Sequence, residues 1–331
     1  MLANEHAGEP PLIAVVGPTA SGKTAVAVAL SERLNGEVIS ADAVAVYRHL
    51  NIGAAKPDES EMGRAFFHLI DVADPDEDFS LADFEARASV AIADIRSRGK
   101  TPILAGGTGL YVRSVTATLR VPSVAPQEAL RERLWAEVEA SGSEVLHARL
   151  QAVDPASAGK ILSGDAKRII RALEVFEVTG QAMSSFHTPE GVRGVPKPNT
   201  YLFGLERERA ELYRRIETRV DTMMEAGFLD EVRGLLARGY DGSLKSMGSL
   251  GYRHLTRHLT EDQPLPEVLE DLKRDTRRFA KRQISWFRAD SEVAWLPVGE
   301  ESSAEAVADA MVEDMKKRIA GAKTEIPPAS E

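Results

Sequence analysis

The stretch Gly17-Pro18-Thr19-Ala20-Ser21-Gly22-Lys23-Thr24 constrains this chain more than any other: two glycines bracket four residues, followed by Lys and then Thr, the phosphate-loop pattern. Leu12-Ile13-Ala14-Val15-Val16 before it is the short apolar run of a buried parallel strand, and Ala25-Val26-Ala27-Val28-Ala29-Leu30 after it reads as the start of a helix. The loop therefore opens a helix. Gly17 and Gly22 let the backbone curl so that successive N–H groups face one anion, and the helix N-terminus adds partial positive charge. In such a loop Lys23 reaches the terminal phosphate and the Thr24 hydroxyl is a magnesium ligand. The alternative, a glycine-rich turn that binds nothing, has the flanking strand and helix against it. The pattern does not say which phosphorylated molecule is held, ATP included.

A second strand, Gly36-Glu37-Val38-Ile39-Ser40, delivers Ala41-Asp42 to the same edge. In open α/β sheets ligands sit outside the carboxyl ends of the strands, so Asp42 faces the crevice of the phosphate loop. A carboxylate there is a metal ligand, a general base, or the cap of the following segment. The run Asn51-Ile52-Gly53-Ala54-Ala55-Lys56-Pro57 has loop composition. Phe67-His68-Leu69-Ile70-Asp71-Val72 is expected to be a strand, and a helix is expected from Ser80 to Arg98, stopped by Gly99. Lys100-Thr101-Pro102-Ile103-Leu104-Ala105 is a further buried strand ending in Gly106-Gly107-Thr108-Gly109-Leu110-Tyr111, either a tight strand-to-helix turn or a set of small residues for the crevice. No strand ends in an apolar run plus Asp-Glu, the metal-holding and water-activating element of many phosphate-loop ATPases. Ile70-Asp71 comes nearest. A transferase that holds a diphosphate and excludes water has no need of that element.

From about Val121 the periodicity becomes helical, with Leu130, Leu134, Val138, then Leu146, Leu150, then Ile169, Leu173 and Phe176. Lys167-Arg168-Ile169-Ile170-Arg171 sets Arg168 and Arg171 on one face, which by itself reads as solvated surface. Residues 185–199 read as a linker. Tyr201-Leu202-Phe203-Gly204-Leu205 returns to strand character, so the helical part is an insertion in an α/β core, and Glu206 to Met224 is a charged helix. In Lys273 to Arg288, helical spacing places Arg274, Arg278 and Arg282 on a stripe with Phe279, Trp286 and Phe287 behind it. That stripe either follows a phosphate backbone or is a salt-bridged structural helix. Val293-Ala294-Trp295-Leu296 is a late strand.

The division expected is a phosphate-loop NTPase-like α/β parallel-sheet core over 12–120 and 199–300, an inserted all-helical domain over 121–198, and flexible tails over 1–11 and 321–331. At 331 residues the core is large enough to stand without staples, and with no cysteine there is no disulfide and no thiolate chemistry. No signal peptide and no 18-residue apolar run is found, so a cytoplasmic protein is expected, with no membrane partner. A net charge of −10 argues against a general nucleic-acid coat protein but allows a local basic face.

Together the loop Gly17 to Thr24, Ile39-Ser40-Ala41-Asp42 with Val46-Tyr47-Arg48 and residues 52–57, and Gly106 to Tyr111 resemble the tRNA dimethylallyltransferases, also called tRNA isopentenyltransferases. The resemblance continues through Arg168-Ile169-Ile170-Arg171-Ala172-Leu173-Glu174-Val175, Gly251-Tyr252-Arg253 and Thr276 to Trp286, over about residues 12 to 298 in unbroken order. It implies transfer of a dimethylallyl group from its diphosphate to the exocyclic amine of the adenosine immediately 3′ of a tRNA anticodon. The phosphate loop and Mg2+ would hold the diphosphate. Asp42 matches the family's general base, and Arg219 a diphosphate-binding arginine. Thr108 matches a tRNA-contacting residue beside the channel, and Arg131 and Lys167 to Arg171 match tRNA contacts on the inserted domain. Arg278 and Arg282 become phosphate contacts. The implied partners are the tRNA anticodon stem-loop and dimethylallyl diphosphate, for a monomer with no obligate protein partner.

The sequence departs from that pattern after Asp42, where the family has Ser, a variable residue, then Gln, and this chain has Ala43-Val44-Ala45. These positions remain candidate tRNA contacts, without side-chain hydrogen bonds from the alanines. Ala54 stands for a usual Thr and His254 for a usual Glu. A working enzyme with altered target preference is expected.

Overall fold

A computed structural model of the chain describes residues 8–119, 122, 124, 126–186 and 194–324. They form two compact units, one from the segment up to Thr116 together with Pro196 onward, the other from Ala117 to Val195. Among the described residues the strands are β1 (Leu12–Val16), β2 (Gly36–Ser40), β3 (Phe67–His68), β4 (Thr101–Gly106), β5 (Ala117–Thr118), β6 (Val195–Pro196), β7 (Thr200–Glu206) and β8 (Val293–Pro297). Six of them make one sheet in the order β3-β2-β4-β1-β7-β8, and β5 pairs with β6.

Every pairing in the six-stranded sheet is parallel. A parallel sheet is covered on both faces, which is why β1 is an unbroken apolar run, buried throughout. Alternation along the strand sends Leu12, Ala14 and Val16 into one core, with Ile39, Leu104 and Phe84, and Ile13 and Val15 into the other, with Val28, Leu30 and Phe203. The helix Lys23–Leu34, which follows the phosphate loop, lies in the second core with Met311 and Met315 of the helix Ala304–Thr324.

The expected strand over 67–72 is only Phe67–His68. Leu69 and Asp71 adopt positive φ values of 63° and 57°, which no strand accommodates, and the segment folds back so that Val72 and Ala73 donate to the Val46 carbonyl. At the tails, residues 1–7 and 325–331 lie outside the described residues. Residues 321–324 belong to the terminal helix, and Pro10 is held through its carbonyl by Arg96. Of the expected linker over 185–199, 187–193 lies outside the described residues, Ser185 ends the short 3-10 turn Met183–Ser185, and Val195–Pro196 is β6.

The second unit is helical: Glu128–Ser141, Ser143–Val153, Pro155–Ala158 and Ala166–Thr179. Leu134, Leu146, Leu150, Ile169, Ile170 and Leu173 form its core. Breaks fall at Gly142, with φ 82°, and at Asp154 before Pro155. Among the described residues no helix is long and apolar enough to cross a membrane.

Candidate active site

The exits of β1, β2 and β4 converge on a cavity of about 840 Å3 whose wall includes Lys23, Thr24, Asp42, Gly107, Arg219 and Gln283. Convergence requires backbones in contact: a Cβ on Gly106 would come within 2.1 Å of the Ala41 carbonyl oxygen, so only glycine lets β4 end against β2.

The phosphate loop is held by its carbonyls. Lys23 Nζ donates to the Pro18 oxygen at 2.7 Å, Arg215 Nε to the Ala20 oxygen at 2.9 Å, and Arg207 Nε to the Ser21 oxygen at 2.9 Å. Arg207 is itself paired with Glu211. With the carbonyls engaged, the N–H groups of the first helical turn, which have no intrahelical acceptor, are left for an anion at the cavity wall. Burial, reinforced by the nearby Arg219 charge, pushes the Lys23 ammonium down to about 7 against the pull of Asp42. Burial also lowers Arg219, with Asp42 and Glu61 acting to raise it. Both side chains line the cavity wall.

Asp42 takes one of the readings left open by sequence, that of a cap. Its Oδ1 accepts from Val44 N at 2.8 Å and Ala45 N at 3.2 Å, which is the turn-capping role. Its other carboxylate oxygen takes no hydrogen bond among the described residues, so one Asp fixes its loop and leaves an oxygen unbonded. Thr108 Oγ1 accepts from Ala43 N at 3.1 Å and Thr108 N donates to the Ala41 oxygen at 3.3 Å, so Thr108 positions the backbone on either side of Asp42. Ala45 lines the cavity, and Ala43 and Val44 are half-buried beside it.

A magnesium site needs oxygen donors. The described residues hold no cluster of three or more His, Cys, Asp or Glu. Thr24 and Asp42 share the cavity wall, and the Thr24 hydroxyl takes no hydrogen bond among the described residues. That sparse set fits magnesium, which binds through few protein groups and completes its shell with phosphate oxygens and water.

The sequence assigns no role to several residues at the site. Gln283 Oε1 accepts from Thr19 N at 2.8 Å and its Nε2 donates to the Gly107 oxygen at 3.0 Å. Glu231 accepts from the backbone N–H groups of Asn51, Ile52 and Gly53 and from the Tyr252 hydroxyl at 2.5 Å. Lys56 from that loop donates to the Tyr47 oxygen, Asn51 Oδ1 and Asp71 Oδ1. Burial lowers its ammonium and Asp71 opposes the shift.

The remaining candidates divide by unit. On the helix Leu265–Arg288, Arg278 is exposed and pairs with Asp275 at 3.2 Å, and Arg282 lies over the Phe279 ring. Trp286, expected behind the stripe, is exposed on it, while Phe287 is buried. In the second unit Lys167 and Arg168 are exposed. Arg131 and Arg171 instead converge on Glu174, which is 0% exposed and also accepts from Gln127 N at 2.7 Å. Desolvation pushes that carboxyl up, but the hydrogen bonds from Arg131, Gln127 and Arg171 outweigh it and hold it below its ordinary value. Ile169 and Ile170 are buried in the unit's core, so their side chains offer no RNA contact, and they serve to anchor the helix bearing the cations.

A parallel sheet with an anion-ready loop at its carboxyl edge, and a separate helical unit inserted between strands, defines a phosphate-loop α/β fold. Residues 45–290 match the family model described as IPP transferase, and residues 10–71 match isopentenyl transferase. A tRNA dimethylallyltransferase of Geobacter metallireducens is 48% identical over 286 residues, 86% of this chain and 92% of the relative. One from Heliobacterium modesticaldum is 47% identical, covering 85% of this chain and 88% of the relative. The solved tRNA isopentenylpyrophosphate transferase of Bacillus halodurans superposes with a TM-score of 0.70 at 38% identity, covering 95% of this chain and 99% of that one. A eukaryotic dimethylallyltransferase described as acting on tRNA superposes with a TM-score of 0.78 at 26% identity, over 93% of this chain and 80% of that one. The chain belongs to the tRNA dimethylallyltransferase family.

Proposed function

We propose that this enzyme transfers the dimethylallyl group of dimethylallyl diphosphate to the exocyclic amine of the adenosine immediately 3′ of the anticodon in tRNA. The observation that carries the reading is Asp42, which has one carboxylate oxygen pinned by two backbone N–H groups and the other unbonded, in the same cavity as Lys23 and Arg219.

The amine is a poor nucleophile because its lone pair is delocalised into the purine ring. It needs positioning and a base. Asp42 removes a proton from it as the new N–C bond forms at the allylic carbon and the C–O bond to the diphosphate breaks. Negative charge then collects on the departing diphosphate, where the phosphate-loop N–H groups, Lys23 and Arg219 receive it. Magnesium bound beside Thr24 would neutralise part of that charge. For the amine to reach Asp42 the adenosine must leave its stack, at a cost on the order of a few kcal/mol. Thr108 fixes the backbone that the flipped base passes.

Contacts to the RNA backbone fall to Arg278 and Arg282 on one unit and to Lys167 and Arg168 on the other. Arg131 and Arg171, joined to Glu174, act first as the frame for that helix. The reading carries with it a cytoplasmic, monomeric enzyme with no obligate protein partner.

The test is incubation of the purified protein with magnesium, dimethylallyl diphosphate and total tRNA, followed by digestion and mass analysis. Prenylated adenosine is expected, and an Asp42→Ala protein that binds tRNA but forms no product. Phosphoryl transfer from ATP without prenylation would overturn the reading in favour of a kinase.

A further inference from the structure

Gln283 and Trp286, three residues apart on the helix Leu265–Arg288, face the same side. Gln283 is buried against Thr19 and Gly107, whereas Trp286 keeps 38% of its surface exposed. One edge of the indole is fixed. The Nε1 edge lies against Gly109, where an added Cβ would come within 2.0 Å of Nε1 and 2.2 Å of Cδ1, so the ring meets bare backbone there. Gly109 directly follows Thr108, whose hydroxyl holds the Ala43 N–H next to Asp42. The chain of contacts from Asp42 through Thr108 to Gly109 thus ends at this exposed ring. Its sequence neighbourhood adds Leu110, also an exposed apolar side chain at 42%.

The surroundings are cationic. Residues 276–289 hold Arg277, Arg278, Lys281, Arg282 and Arg288 and no acidic residue, in a chain whose net charge is −10. Arg278, Arg282 and Trp286 recur every four residues, along one stripe of the helix. Arg277, Arg278 and Arg288 are paired with Glu217, Asp275 and Glu206, but Lys281 and Arg282 have no carboxylate partner among the described residues. An aromatic ring held at one edge, in line with Arg282 and with Lys281 beside that row, matches the arrangement that binds single-stranded nucleic acid: cations take the backbone while a base stacks on the ring.

We propose that Trp286 is a stacking platform for an unpaired loop nucleobase next to the adenosine that enters the cavity, with Lys281 and Arg282 taking the adjoining phosphates. The inference rests on the RNA-modifying reading above and adds a contact to it. A seated ring binds without losing rotamer freedom, and stacking tolerates any base, so the platform supplies affinity and keeps the flipped adenosine's neighbour from restacking with it.

The test measures binding of a synthetic anticodon stem-loop RNA to wild type, Trp286→Leu and Trp286→Phe, using intact loops and loops made abasic on the 5′ or the 3′ side of the target adenosine. Trp286→Leu is expected to bind the intact hairpin about tenfold more weakly, while Trp286→Phe keeps most of the affinity. Dimethylallyl diphosphate affinity stays at the wild-type value in both. One of the two abasic loops weakens wild type about tenfold and leaves Trp286→Leu unaffected. Wild-type affinity in Trp286→Leu overturns the proposal, as does an equal loss on intact and both abasic hairpins, which would make the ring a support for Gly109. Were Trp286→Leu to misfold, abasic loops that bind wild type as tightly as the intact one still overturn it. A wild-type protein that binds no hairpin sinks the RNA reading itself, a distinct result.

Discussion

Gln283 accepts a hydrogen bond from the Thr19 backbone N–H at 2.8 Å across 264 residues of sequence, and the same amide donates to Gly107. The phosphate loop and the end of β4 are thereby tied through one side chain of a distant helix. Gln283→Leu retains the volume and leaves a buried donor and acceptor unpaired, so a stability loss of about 1–3 kcal/mol is expected. Diphosphate affinity should fall with it. Denaturant unfolding and calorimetric binding check both, and an unchanged protein on both counts rules the tie unimportant.

Asp42 has separable duties. Asp42→Asn preserves an oxygen for Val44 and Ala45 but no base, so kcat should drop by about 10²–10⁴-fold with the melting temperature nearly unchanged. Asp42→Ala loses the turn as well, at about 1 kcal/mol. Single-turnover prenylation and thermal melts separate them, and wild-type turnover in Asp42→Asn would refute the base assignment.

Lys23, held at about 7 against an ordinary 10.5, predicts a pH dependence. Its folded value lies below the unfolded one, so between these values the unfolded chain binds more protons, and this group makes stability rise with pH across the window. Binding of an anion should reverse the shift and take up a proton. Diphosphate affinity should therefore weaken from pH 7 towards pH 9, by at most about tenfold per unit. Titration calorimetry in buffers of different ionisation enthalpy reads the uptake directly, and Lys23→Arg should abolish it.

Glu231 closes the loop 51–57 by accepting from three consecutive backbone N–H groups. Glu231→Gln cannot serve all of them and should cost about 1–3 kcal/mol, while Tyr252→Phe, which removes one donor to Glu231, should cost about 1 kcal/mol. Because the two share a carboxylate, a double-mutant cycle should show coupling. Strict additivity in urea melts would count against the clamp.

Ala43 and Ala45 stand where the resemblance leads to an expectation of Ser and Gln. Their backbone N–H groups are already bonded to Thr108 and Asp42, so only their side-chain contributions are missing. Turnover is expected to be comparable on target tRNAs and on tRNAs altered beside the modified adenosine, and Ala43→Ser with Ala45→Gln should sharpen the difference. A sharp preference in the unaltered enzyme contradicts relaxed readout.

What could be read from sequence was whatever depends on neighbours along the chain. An apolar run of strand length, glycines at fixed offsets and the residues opening a helix are local requirements, so β1, the phosphate loop and Lys23–Leu34 followed from composition and spacing. The position of Asp42 followed from the rule that strand ends share an edge. The helical unit followed from the period of Leu134, Leu146 and Leu150, because a buried stripe repeats with the helix turn. Tertiary structure alone decided the pairings between segments far apart in sequence. Periodicity assigns a residue to a face but not to a partner, so nothing local told Gln283 from a surface amide or joined Glu231 to residues 51–53. The same limit set Trp286 behind its stripe when it stands on it, because Gly109, which seats the ring, is 177 residues away in sequence. It also left Arg131 and Arg171 as expected tRNA contacts, when a fully buried Glu174 between them fixes where they point.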